Sequence, residues 1–389
     1  MRLVTRFQTL KGNALIFLLF VWFLWFLNFV SRAILSPVLP LIEDEFGVTH
    51  ARATSIFLFL GLGYSLSVFF SAVYARTLGS RKSVCAALLS LGLSLLAISQ
   101  VTTFDLFYLF SFTLGLGAGM YLPAMIPILT EYYDQKDWGK VIAIHDSGSP
   151  LGLFATPFIV IVILLFLPWR AMLMLVSITY FLCAVMFYFS AGETKIAAKA
   201  TYFPRHLLRR GDFWCFGIVW IFMAGATMGP YFVVPLYLTK ELSFSVESGN
   251  VIFGVSRIGG ALAGISAGFL IDRFRAKGIA FSMILTTGIL TVLMAIRDVR
   301  WVQVFLFLQA TAVTGFFPIS LVSISRMFNS EERGQAVGFI VTLGVIGMAV
   351  IPYFLGLAGD LVSFRLGFVL LGIVTGLSGG LLYFVKELK

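Results

Sequence analysis

Apolar residues run through this chain in long, almost unbroken stretches, and short polar or charged segments separate them. A stretch of about 18 or more apolar residues can cross the hydrocarbon core of a bilayer as a helix. Twelve are predicted, over 14–40, 53–75, 83–103, 105–131, 140–167, 169–191, 213–239, 246–271, 279–296, 301–326, 335–358 and 364–385. The connections are short except for Gly192–Asp212, between the sixth and seventh stretches. That linker carries Lys195, Lys199, Arg205, Arg209 and Arg210 and is broken by Pro204.

The pattern also repeats. An offset of 195 residues superimposes Pro40 on Pro235, Pro123 on Pro318, Gly139 on Gly334, Gly152 on Gly347 and Pro157 on Pro352. Proline and glycine fix where helices bend and where backbones touch, so coincidences at one offset mark a duplicated unit. The expected organisation is a six-helix bundle over 1–191, a basic cytoplasmic linker over 192–212 and a second six-helix bundle over 213–389. With an even number of spans per unit, the halves are parallel repeats about an axis along the membrane normal.

Composition agrees with an all-α integral membrane protein. The chain has 389 residues, 59% hydrophobic and 12% charged, against about half and a quarter in soluble domains. The net charge of +10 could suggest nucleic acid. Its basic residues, however, lie scattered in short loops, and with the N-terminus inside about 20 Lys/Arg fall in cytoplasmic segments and about six outside. Both termini are therefore expected in the cytoplasm of a cell (inner) membrane, with the bilayer and not nucleic acid as partner. No cleavable signal peptide is expected, because the first apolar run is too long for one. The three cysteines, Cys85, Cys183 and Cys215, lie in or beside apolar runs without CxxC or Cys/His spacing, so they read as packing residues. HExxH, P-loop and complete dinucleotide signatures are absent. This argues against an enzyme, a cofactor or a metal, and leaves an ion gradient or exchange to power any uphill transport.

Twelve spans in two halves joined by a basic linker resemble the major facilitator superfamily over the whole chain. The sharpest local match, Gly268-Phe-Leu-Ile-Asp272-Arg273-Phe-Arg275-Ala-Lys277, is similar to that family's Gly-x-x-x-Asp-Arg-x-Gly-x-Lys/Arg loop. The resemblance implies a conformational role for Asp272 and Arg273. The corresponding loop of the first half, Ala72 to Lys82, departs from the pattern: Ala72 replaces the first glycine and Arg76 replaces the aspartate. Glu131 and Arg326 are repeat-mates at the cytoplasmic ends of helices four and ten and read as gating or helix-end residues.

Two arginines lie inside spans, where an ionised side chain facing lipid is costly and marks a functional site by default. Asn28, Arg32 and Ser36 follow at spacings of four and share one helical face. Arg32 could line a cavity or snorkel to the headgroups. Arg32, Ser36 and Pro40 resemble the first helix of anion:cation symporters and organophosphate antiporters, in which the arginine binds the anion. Arg257 lies too deep in helix eight to snorkel. It shares a stripe with Asn250, Gly254, Ala261, Gly264 and Gly268, and the alternative to anion binding is a structural pairing. It resembles the mid-helix arginine of oxalate/formate, monocarboxylate and nitrate carriers. The planar guanidinium suits a carboxylate because it bonds bidentately and keeps its charge.

His145 and Asp146 on helix five are candidates for proton coupling; the alternative is a helix–helix bond for Asp146 and an interfacial position for His145. Tyr64, Tyr121, Thr227, Tyr231, Gln309 and Thr314 are lesser candidates for the substrate site, and Thr227 is the repeat-mate of Arg32. The sequence thus predicts a monomeric secondary transporter of a small organic anion, most simply a carboxylate. It would act by alternating access, in proton symport or anion exchange. A lipid, lysolipid or drug exporter of the same fold is the alternative.

Overall fold

The computed structural model describes residues 7, 10–192, 207–271, 276–296, 298–328 and 330–385. Nearly all of them are helical. Ten helical stretches among the described residues are long and apolar enough to cross a membrane. Val246–Ile271 and Ala276–Leu293 stand where the eighth and ninth spans are expected.

The first stretch, Asn13–Phe46, runs beyond its expected end and contains a break at Ile34. Proline is the cause: Pro37 has no N–H for the Ala33 carbonyl, and its ring crowds that turn. Asn13–Ala33 therefore ends one residue after Arg32, and Leu35–Phe46 begins anew. A similar break at Ser147 precedes Pro150, which cannot donate to the Asp146 carbonyl. That carbonyl accepts from Ser149 Oγ at 2.9 Å instead. Helix two breaks at Ser55, where Thr54 and Ser55 turn their hydroxyls back onto His50 O (2.8 Å) and Arg52 O (2.7 Å).

Packing divides the chain into two compact units. One comprises Met1–Leu35 and Phe59–Thr201; the other comprises Ser36–Leu58 and Tyr202–Lys389. The part of the first stretch beyond Leu35 and the start of the second therefore pack with C-terminal elements. Local sequence carries no sign of this, since the segment is covalently continuous with the first unit at both ends.

Within each unit the duplicated sequence produces a duplicated crossing. In the first, a methyl placed on Gly152 would lie 2.6 Å from the Phe26 carbonyl oxygen. In the second, one on Gly347 would overlap the carbonyl oxygen of Ile221. Phe26 and Ile221 are repeat-mates, as are the two glycines. Glycine is needed here for close approach of backbones, as in small-residue membrane packing. The core of the second unit is rich in aromatic rings, with Phe213, Phe216, Trp220, Phe316 and Phe328 all buried.

Candidate functional site

Each unit holds one of the two intramembrane arginines against aromatic rings. In the first, the Arg32 guanidinium lies 4.5 Å from the Tyr64 ring centroid and 4.7 Å from that of Phe29. Arg32 is partly exposed, and among the described residues no carboxylate forms an ion pair with it. Aromatic faces attract a cation but leave its in-plane donors free.

In the second unit Arg257 is 8% exposed. Its guanidinium lies 5.0 Å from the Phe253 centroid and 5.4 Å from that of Tyr231. Nε donates to Ser256 Oγ at 3.1 Å, whereas buried Nη2 has no hydrogen-bond partner among the described residues. Tyr231 itself is buried and meets Phe253 edge-on at 4.9 Å. A buried cation with a free donor edge and aromatic faces is geometrically ready for an anion in its own plane.

The sequence-predicted neighbours are placed less uniformly. Asn28 is fully buried and donates from Nδ2 to the Ala118 carbonyl at 3.3 Å, tethering two helices. Ser36 lies beyond the break at Ile34, in the second unit, and donates to the Tyr231 carbonyl at 2.8 Å. The expected unbroken face of Asn28, Arg32 and Ser36 is thus interrupted by the proline-induced break. Gln309 is likewise buried, donating to Ala226 O at 2.8 Å and Thr291 Oγ1 at 3.3 Å, with Oε1 unpaired. Thr227 and Thr314 return their hydroxyls to Met223 O and Ala310 O of their own helices, both at 2.8 Å. Of the Arg257 stripe, Asn250 donates to the Pro37 carbonyl at 3.0 Å. The surroundings of Ala261, Gly264 and Gly268 lie outside the described residues.

His145 and Asp146 face different surroundings. The His145 ring is 1% exposed and stacks with Trp25 (5.6 Å) and Tyr121 (6.0 Å). Tyr121 OH donates to Val21 O at 2.9 Å and therefore accepts from His145 Nε2 at 3.3 Å, while Nδ1 has no partner. This geometry satisfies the neutral ring with its proton on Nε2; protonating Nδ1 would bury a second, unanswered donor. Asp146 is exposed and accepts from Trp25 Nε1 at 3.3 Å. The alternative reading, an interfacial His145, is therefore corrected to a buried ring, because helix five sets it beside the mutually stacked rings of Trp25 and Tyr121, whose centroids are 5.4 Å apart.

Among the expected gating residues, Arg76 is exposed on Ser71–Thr77 and Glu131 lies in the last turn of Asp105–Tyr132. Asp272, Arg273 and the side chain of Arg326 lie outside the described residues, as do Lys195, Lys199 and Arg205 of the linker.

Sequence reasoning missed a charged group in the second unit built from Glu43, Asp44, His50, Lys240, Glu241, Asp360 and Arg365. Its members are far apart in the chain and sit at span ends, where charges are unremarkable. The buried carboxylate of Glu43, three residues past Pro40, was the one available signal.

Comparison with known proteins fits this architecture. The family model described as Major Facilitator Superfamily matches residues 21–264 and 225–389. The chain belongs to the major facilitator superfamily, a family of multi-pass membrane transporters rather than enzymes. It is 23% identical to a hexuronate transporter of Bacillus subtilis (strain 168), a match spanning 65% of this chain and 64% of that protein, just under two thirds of its length. It is 22% identical to the cis,cis-muconate transport protein of Acinetobacter baylyi over 91% of this chain and 90% of that one. A multidrug resistance protein, MdtL of Shewanella sp. (strain ANA-3), is 23% identical over 62% of each chain. A crystal structure of a bacterial homolog of the human lysosomal transporter Spinster superposes with a TM-score of 0.81 at 15% identity, covering 96% of this chain and 98% of that one.

Proposed function

We propose that this transporter carries a small organic carboxylate, with Arg257 as the principal anion-binding side chain and Arg32 as the second. One observation carries the reading: Arg257 is a buried cation with a free Nη2 and no carboxylate partner among the described residues. A charge buried without a partner costs several kcal/mol, roughly, in folding free energy, and a substrate anion would offset that cost. Relatives named for hexuronate and cis,cis-muconate transport support a carboxylate. The aromatic rings of Tyr231 and Phe253, with Tyr64 and Phe29 around Arg32, offer faces for the apolar part of such a substrate.

In this reading transport proceeds by alternating access in a cell membrane, with both termini cytoplasmic and a single chain as the working unit. Uptake is driven by a proton gradient or by counter-exchange. Asp146 is the better-placed proton carrier of the two on helix five, because its carboxylate is exposed while His145 is held as a neutral ring. The test is uptake by proteoliposomes, screening carboxylates, sulfonates, phosphates and nitrate with and without an imposed pH gradient. Arg257→Ala should abolish saturable uptake of the preferred anion. Normal uptake by that variant would remove the anion-clamp reading.

The relative named for multidrug resistance raises the exporter alternative. An apolar cleft of about 380 Å³ lies among Phe222, Phe354, Leu355, Leu366, Leu370 and Val374. It contains neither arginine, so it does not bear on the anion site. Efflux of a lipophilic cation that survives Arg257→Ala would favour that alternative.

A further inference from the structure

Val246–Ile271 carries two buried polar atoms without hydrogen-bond partners among the described residues, one an acceptor and the other a donor. Asn250 is 1% exposed. Its Nδ2 donates to the Pro37 carbonyl at 3.0 Å, which identifies the other end of the amide as the oxygen, and that Oδ1 receives no proton. Arg257 is the converse: Nε is spent on Ser256 Oγ and Nη2 is free. The two residues stand seven apart on one helical face. At 1.5 Å per residue their backbones are roughly 10 Å apart. The arginine side chain halves that gap, because its guanidinium lies 5.0 Å from the ring of Phe253, one turn nearer Asn250. Gly254, buried between them, adds no side chain. The same wall stands against both: Ser36, adjoining the Pro37 that holds Asn250, donates to the Tyr231 carbonyl at 2.8 Å, and the Tyr231 ring lies 5.4 Å from the guanidinium.

We propose that Asn250 is a second substrate contact and that the carried anion is a hydroxycarboxylate, its carboxylate on Arg257 and its hydroxyl donating to Asn250 Oδ1. The inference rests on the anion reading of Arg257 and adds the group that a bare carboxylate lacks. A carboxylate has only acceptors, so it answers Nη2 and leaves Oδ1 buried without a proton, which penalises binding. A hydroxyl supplies that proton without charge. An ammonium would supply one too, but it would set a second cation beside Arg257. The residues around the two groups, Ser36, Pro37, Tyr231, Phe253 and Ser256, include no acid to balance it. The remaining gap is about one helical turn, roughly 5 Å, which suits a carboxylate and a hydroxyl a few bonds apart in one small molecule. A site that bonds a substrate hydroxyl rejects the analogue without it, because its own polar group is then left unpaired. Asn250 is thus the residue that sets specificity, while Arg257 supplies the attraction common to all carboxylates.

The test is counterflow uptake by the full-length protein in proteoliposomes at pH 7, with radiolabelled acids in matched pairs: propionate and lactate, succinate and malate, benzoate and 4-hydroxybenzoate. In the pair that the parent transports, KM for the hydroxylated member should be lower by about tenfold or more. Alanine, which has an ammonium where lactate has its hydroxyl, should not compete. In Asn250→Leu the ratio of the two KM values should fall to about twofold or less, whatever happens to absolute uptake; a purely structural role would weaken both members alike and leave the ratio standing. Asn250→Ser withdraws the amide oxygen with a smaller change of shape and supplies the answer if the leucine variant does not fold. A parent that takes up no hydroxylated member, shows no preference, or accepts alanine as well as lactate would overturn the proposal, as would a preference that persists in whichever variant folds. Arg257→Ala separates the two readings. If it abolishes uptake of both members while the parent shows no preference, the hydroxyl inference alone falls; if uptake survives, the anion reading beneath it falls too.

Discussion

Replacing Arg257 should change affinity and stability in opposite directions. The buried guanidinium has one donor nitrogen without a partner, aromatic rings on its faces and Ser256 on Nε. An in-plane carboxylate would take two charge-assisted bonds, each contributing about 1.5–3 kcal/mol. Arg257→Lys keeps a charge but loses the fork, so roughly one bond disappears and the apparent KM should rise about 10- to 150-fold. Arg257→Met loses both, for about 3–6 kcal/mol and an effect of about 150-fold or more. Without substrate the sign reverses: Met fills a similar volume without a buried charge, so the empty variant should melt at a higher temperature than the parent. The assays are counterflow uptake over a substrate concentration series and thermal unfolding followed with and without substrate. Uptake within twofold of the parent, or an empty Arg257→Met variant that melts lower, would refute the reasoning, since either would mean that the arginine is already paired.

Further expectations follow from the same geometry. Tyr64→Leu removes an aromatic face 4.5 Å from Arg32; at about 1 kcal/mol for a cation–π contact, KM should rise about fivefold with little change in expression. Asp146→Asn should abolish uptake driven by a pH gradient while leaving exchange intact, and His145→Phe should preserve the pH profile because the ring is held neutral in its stack; a flattened profile in His145→Phe would return that residue to the coupling role. Gly347→Ala should lower the melting temperature by several degrees because its methyl meets the Ile221 carbonyl, whereas Gly278→Ala, with open space around it, should leave stability unchanged.

Much of the fold was legible because two signals are local in sequence. Apolar length places the spans, and the 195-residue offset predicts matched crossings, which Gly152 on Phe26 and Gly347 on Ile221 supply. Arg32 and Arg257 were legible for the same reason, as charges inside apolar runs. What the chain hid was tertiary. Nothing near Ser36 says that its hydroxyl reaches Tyr231, or that Leu35 and Leu58 mark the limits of a segment packed with the other unit. Asn28 and Gln309 looked like cavity residues because a buried helix tether and a substrate ligand use the same side-chain chemistry. The break at Ile34 was readable in principle from Pro37, but periodicity carried Asn28, Arg32 and Ser36 across it as though the helix were straight.

The two glycine crossings bear on where this protein can bend. At Gly152 and at Gly347 one helix rests on the bare peptide of another, with no side chain between them whose rotamer could change. Such a joint has no intermediate settings and behaves as a stiff strut. Helices one and five, and helices seven and eleven, are therefore rigid frames, and compliance lies where the ladder of helical bonds is already interrupted. In the first two helices those places are Ile34, Ser55 and Phe70, and the first two bracket most of the segment that carries Glu43 and His50.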